Sequence, residues 1–224
     1  MRLRAEYSVG PDLKFLANLD MMHLMERTLR RAGIPYLLSE GFNPHIRLSM
    51  GTILPVGVWG QKEYFDLELN PMSMVDFMTA MNKALPPDML IRHCCEILPV
   101  APSLMKVVNA ADYIFMMKAT GLDLQNIVAK ILKQEKLMVQ SKGKNKLAQK
   151  DLRPGIFEIK VESQGEMEII MVRVSVNEPL NVRFDEILDV FEQVGIDNKY
   201  MLDFWRRGNY IKKGENYYSP LEKV

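Results

Sequence analysis

Hydrophobic periodicity gives the same order of elements twice along this chain, and that repetition limits the fold more than any single motif does. Arg2-Leu3-Arg4-Ala5-Glu6-Tyr7 alternates polar and apolar residues, as a strand with one buried face does. From Asn18 to Ala32 the residues Met21, Met22, Met25, Thr28, Leu29 and Ala32 recur at helical spacing, with Asn18 or Asp20 as the cap and Gly33 and Pro35 as the stop. Short strands follow at Tyr36–Leu38, Ile46–Met50 and Glu63–Leu69. Met74, Phe77, Met78 and Met81 then mark a helix that Pro86-Pro87 ends, and Leu90–Leu98 is a further strand.

After Pro99-Val100-Ala101-Pro102-Ser103 the order begins again. Asp112–Ala119 reads as a strand, and Leu124, Ile127, Val128, Ile131 and Leu132 form one stripe of a helix spanning Leu122–Lys136. Phe157–Val161 and Glu168–Val176 alternate around a turn at Gln164-Gly165, as a hairpin does, and Phe184, Ile187, Leu188 and Phe191 mark a helix closed by Gly195. The stretch from Lys199 supplies at most one more strand and then a tail. Strand, helix, two or three strands, helix, strand is the ferredoxin-like split β-α-β order, an antiparallel sheet with two helices on one face. The expected fold is therefore α+β with tandem ferredoxin-like units: a first domain over residues 1–98, a linker over 99–110, and a second domain with a C-terminal tail over 111–224.

Several function classes are excluded at this level. The apolar runs are far shorter than the roughly 20 residues of a membrane span, and the N-terminus lacks the apolar core of a signal peptide. The only cysteines, Cys94 and Cys95, are adjacent, so neither a disulfide framework nor a thiolate cluster site is expected, and a reducing cytoplasm suits the chain. The 17 methionines fall at core spacing and read as packing residues rather than soft-metal ligands. No phosphate-cradling glycine motif, dinucleotide fingerprint or nucleophile elbow is present, so no cofactor is expected on this chain.

Charge is balanced overall, with 29 Lys+Arg against 28 Asp+Glu, but unevenly distributed. Lys130, Lys133, Lys136, Lys142, Lys144, Lys146, Lys150 and Arg153 face only Glu135 and Asp151, whereas Pro154–Asn198 carries ten acids and three bases. The run around Lys142, Lys144 and Lys146, with Arg153, reads either as a phosphate-binding loop or as a solvated lysine-rich hairpin tip or connector. A second cationic group lies on the first helix, where His23, Arg27, Arg30 and Arg31 occupy the side opposite the methionines. In the segment Gly41-Phe42-Asn43-Pro44-His45-Ile46-Arg47, alternation sets His45 and Arg47 on one face, with Asn43 in the turn before them. These residues could bind a phosphodiester, or His45 could cap the loop backbone. In a catalytic reading, His45 or His23 is the general base and Arg47 or Arg27 holds the phosphate. A metal held by His23, His45 and His93 matches no ligand spacing.

The segments Leu13–Met22, Glu26–Pro35, Gly41-Phe42-Asn43-Pro44-His45, Leu54-Pro55-Val56-Gly57, Glu63–Leu69 and Asp151-Leu152-Arg153-Pro154 together resemble the bacterial radical SAM-linked proteins, a domain fused to or encoded beside cobalamin-binding radical SAM proteins. The sequence departs from the family's usual look at Asn18 and Ile46. The resemblance implies a partner, a radical SAM/cobalamin-binding protein, and no reaction of its own. RNA, either tRNA or rRNA, follows by association from neighbouring genes of that family. The leading expectation is a non-catalytic RNA-binding accessory protein. A metal-independent endoribonuclease and a protein-protein adaptor are the alternatives.

Overall fold

The computed structural model describes residues 1–143 and 148–222, and divides into two compact units, Met1–Val108 with Gly208–Val224 and Asn109–Arg207. In the first, β1 (Arg2–Val9) leads through α1 (Asn18–Arg31), β2 (Leu48–Met50), β3 (Trp59–Glu68) and α2 (Met74–Ala84) to β4 (Met89–Ile97). The strands lie side by side as β4-β1-β3-β2, every pair antiparallel, with Ala5 opposite both Phe65 and Cys94 and Ser49 opposite Asp66. That is the ferredoxin-like strand order expected from periodicity.

The core lies between this sheet and its helices. Leu3, Ala5, Tyr7 and Val9 of β1, with Phe65 and Leu67 of β3, form one buried cluster with Met21, Met25 and Leu29 of α1 and with Phe77 and Met81 of α2. Period two on the strands and period 3.6 on the helices bring these side chains into one layer. Gly33 ends α1 at φ +65°, a conformation with little penalty only for glycine. The expected cap is corrected: Ala17 is the N-cap residue and no side chain caps α1, while Asp20 lies in its first turn.

β1 also departs from the half-buried strand expected of it, because Arg4 and Glu6 are buried as well. The Asp66 carboxylate accepts from Arg2 Nη2 (2.7 Å) and from Arg4 Nε (2.7 Å). Arg4 Nη2 donates to Asp66 as well (2.9 Å), and the two guanidinium groups also donate to the carbonyls of Pro99, Ala101, Pro102 and Pro220. The segment expected as an open linker is thus held against the sheet, and it continues into α3 (Leu104–Val107).

The second unit contains β5 (Ala110–Lys118), α4 (Leu124–Lys133), a small hairpin of β6 (Met138–Gln140) with β7 (Gln149–Asp151), β8 (Ile156–Gln164), β9 (Met167–Ser175) and α5 (Phe184–Gln193). With the first half of β10 (Met201–Lys213) its strands run β10-β5-β9-β8, again fourth-first-third-second. Phe115 of β5 stacks on Phe184 (centroids 5.3 Å apart) and meets Phe191 edge-on, which seats α5 on the sheet. Asp123 caps α4 by accepting from Asn126 N. The β6–β7 pairing, Met138 opposite Asp151 and Gln140 opposite Gln149, agrees with the hairpin reading of the lysine-rich run.

Two expectations change at the C-terminus. There are two strands rather than one, since β10 turns into β11 (Asn216–Tyr218), with Ile211 opposite Tyr218. Gly208–Val224 also belongs to the first unit rather than the second. Within that unit Asn209 accepts from Thr52 Oγ1 (2.8 Å) and donates to the Lys62 carbonyl (3.2 Å). Tyr36–Leu38 shrinks to the isolated bridges Tyr36↔Leu69 and Leu38↔Ile46. No helix among the described residues is long and apolar enough to cross a membrane.

Candidate nucleic-acid interface

The cations singled out in the sequence separate into two kinds. On α1, Met21, Met25, Thr28 and Leu29 are buried, and His23, Arg27 and Arg30 stand on the exposed side. Their i, i+4, i+7 spacing makes a row about 10 Å long at the 1.5 Å rise of a helix. Among the described residues, the side chains of His23 and Arg27 have no hydrogen-bond or ion-pair partner. Arg30 has only a loose contact with Glu26, at 3.9 Å. Arg31, the fourth member, is engaged elsewhere: its Nη2 donates to Thr28 Oγ1 (3.2 Å) and to the Ala84 carbonyl (3.0 Å), satisfying an acceptor at the end of α2.

The Gly41–Arg47 loop is pinned at its base. Leu38 bridges Ile46, Ser39 N donates to the His45 carbonyl (2.8 Å), and Ser39 Oγ accepts from His45 N (3.0 Å). The His45 imidazole therefore does not cap the loop; Ser39 does. Arg47 donates from Nε to the Leu38 carbonyl (3.1 Å) and from Nη1 to Glu68 Oε2 (2.8 Å), and its hydrogen bond and charge contact with Glu68 raise its pKa. Beyond Ile46, which is buried, the tip residues Phe42, Asn43 and His45 are exposed. Among the described residues no hydrogen bond or ion pair joins His45 or Arg47 to His23 or Arg27.

Two lysines of the basic run of the second unit pair with the acidic segment that follows it. Lys142 Nζ pairs with Asp189 Oδ2 (2.9 Å), a contact that raises the lysine pKa, and Lys150 Nζ pairs with the fully buried Glu186 (2.7 Å). Glu186 accepts from Lys142 N and Arg183 N as well. Arg153 donates to the Leu132 carbonyl at the end of α4 (3.0 Å) and to the Ile156 carbonyl (3.1 Å). Lys144 and Lys146 lie outside the described residues. Opposite charges distant in sequence thus meet within one unit. The charge asymmetry that suggested a phosphate-binding loop is in part an internal salt-bridge pattern.

His23, His45 and His93 are not brought together, and among the described residues no three His, Cys, Asp or Glu side chains form a group able to hold a metal. Neither cysteine is in a disulfide, and burial pushes the Cys94 thiol up to about 11. Sequence reasoning missed Phe42, which is fully exposed. Its signal was an aromatic residue inside a glycine-, asparagine- and proline-rich turn, where no core position exists.

Comparison with solved structures supports the architecture. A chain in the "Crystal Structure of a Cbf5-Nop10-Gar1 Complex" matches with a TM-score of 0.51 at 12% identity, over 96% of this chain and 50% of that one. A chain in the "Structure of H/ACA RNP bound to a substrate RNA containing 2'-deoxyuridine" matches at 0.46 and 11% identity, over 98% and 49%. An unknown protein from Galdieria sulphuraria matches at 0.26 and 12% identity, over 92% and 96%. The chain thus spans about half the length of the first two, and at such identities the first likeness concerns fold alone. No curated protein matches the sequence. A family model covers residues 2–183, from the first strand of one unit to the start of the last helix of the other, and on that match the chain belongs to the family described as "Uncharacterized protein conserved in bacteria (DUF2344)".

Proposed function

We propose that this chain is a non-catalytic RNA-binding accessory protein of the cytoplasm, and that a radical SAM/cobalamin-binding partner supplies the chemistry, in the modification or processing of tRNA or rRNA. The observation that carries the RNA reading is the exposed row His23, Arg27 and Arg30 on α1. An arginine with no internal partner keeps its planar fork available to phosphate oxygens, and a helix holds several such forks in fixed register. The partner is supported by the sequence resemblance to radical SAM-linked proteins. In this reading no cofactor binds to the chain itself.

Salt titration of binding to a single-stranded RNA tests the reading. With two to three phosphates neutralised, log K falls with log[salt] at a slope of about −2, at roughly −0.7 per contact. Arg27→Ala with Arg30→Ala weakens binding and flattens the slope by about 1.4. Binding indifferent to salt and to both substitutions overturns the proposal. Cleavage of the RNA without added metal, lost in His45→Ala, would reassign the protein as an endoribonuclease.

A further inference from the structure

The Gly41–His45 loop does not have the make-up of a phosphate clamp. Arg47, the guanidinium that follows it, is bonded to Glu68 and to the Leu38 carbonyl, and Glu40, 98% exposed, adds a negative charge beside it. What the loop does present is a phenylalanine ring with no covering neighbour, followed by an amide and an imidazole, at Phe42, Asn43 and His45. Among the described residues none of these three side chains has a hydrogen-bond, ion-pair or ring partner. The backbone beneath is fixed by the Leu38–Ile46 bridge and by Ser39, so the ring sits on a pinned base. Gly41 at φ +125° makes the turn that carries it outward.

The broad sheet face of the first unit is not available for stacking. A four-stranded sheet that binds RNA stacks bases on aromatics of its open face. Here Arg4 and Asp66 are buried on that face, the Tyr64 hydroxyl donates to Glu6 (2.6 Å), and Arg2 and Arg4 hold the carbonyls of Pro99, Ala101, Pro102 and Pro220 over it. A base stacking on this unit has to use a ring outside the sheet, and Phe42 is the most exposed large apolar side chain among the described residues.

We propose that the loop is a base-recognition element: Phe42 stacks on an unpaired nucleobase of single-stranded RNA, and Asn43 and His45 hydrogen-bond to that nucleotide. This rests on the RNA-binding reading and adds to it a substrate class, unpaired rather than duplex RNA, and a division of labour. The α1 arginines bind phosphate and confer salt dependence, and the loop binds a base and does not.

Fluorescence anisotropy with an unstructured RNA dodecamer and a duplex of the same sequence tests this on the full chain. Phe42→Ala is expected to weaken single-strand binding roughly 5- to 100-fold, the range of base–aromatic stacking, and to leave the salt slope at its wild-type value. Phe42→Trp retains affinity and Phe42→Leu loses it, because the contact needs a π-face rather than apolar bulk. Single-strand affinity unchanged in Phe42→Ala overturns the base-recognition proposal and leaves the α1 reading intact; Phe42 would then be a protein contact. Equal losses on duplex and single strand, or full affinity in Phe42→Leu, overturn it too. A wild type that binds neither RNA overturns both proposals together.

Discussion

Arg31 and Arg153 have the chemistry of Arg27, and only their partners distinguish them. Arg153 satisfies two backbone carbonyls, at Leu132 and Ile156, so it ties the end of α4 to the start of β8. Hydrogen bonds involving a charged group contribute more than neutral ones, so Arg153→Ala is expected to lower stability by roughly 1–3 kcal/mol. Urea unfolding measures the loss, and the salt slope of RNA binding should not change. An unchanged midpoint together with a flatter slope would return Arg153 to the binding surface. Arg31→Ala should behave in the same way with a smaller loss, since its guanidinium is mostly in water.

At the scale of elements, the Arg4–Asp66 pair joins β1 to β3 and anchors two irregular segments. Their side chains are 6% and 3% exposed, and Arg4→Ala leaves a buried carboxylate with two of its three arginine hydrogen bonds gone. Breaking a buried pair on one side costs about 3–5 kcal/mol, whereas replacing both partners by apolar residues of similar volume costs far less. Arg4→Ala is therefore expected to be much less stable than Arg4→Met with Asp66→Leu, as chemical denaturation would read it. Equal losses would locate the stabilisation in packing rather than charge. On the other face, Leu29 is fully buried between α1 and the sheet, so Leu29→Ala should lose about 2–5 kcal/mol through the cavity it leaves.

For the whole molecule, pH dependence has a limb on each side of neutrality. Burial, and then the hydrogen bond to Glu6, raise the Tyr64 pKa above its usual value. In the unfolded chain that phenol ionises near pH 10, so its contribution is complete below about pH 10 and is lost as pH rises further. Tyr64→Phe should remove that share of the alkaline limb. Asp151 accepts from the backbone N–H groups of Leu137 and Arg153, which lower its pKa. Its contribution is present above about pH 4 and fades as pH falls below that, and Asp151→Asn should flatten the acid limb. Thermal melts across pH check both; an alkaline limb as steep in Tyr64→Phe as in wild type would dissociate it from this phenol.

Periodicity determined the secondary-structure order and the tandem α+β fold, because apolar spacing records which side of each element must leave water. Met21, Met25 and Leu29 mark the inner side of α1 in any structure that buries it, and the exposure of His23, Arg27 and Arg30 follows from the same spacing. Burial of a polar face was not legible: Arg4 and Glu6 alternate as solvent-facing residues would, and the distant Asp66, Tyr64, Pro102 and Pro220 satisfy them. Nor was the fate of each cation, since Lys150 with Glu186 and Arg31 with the Ala84 carbonyl are pairings across long sequence separations. Local sequence encodes which residues share a face. Tertiary structure alone decides which charges find each other there, because an ion pair depends on distance in space, and a linear pattern carries no distance.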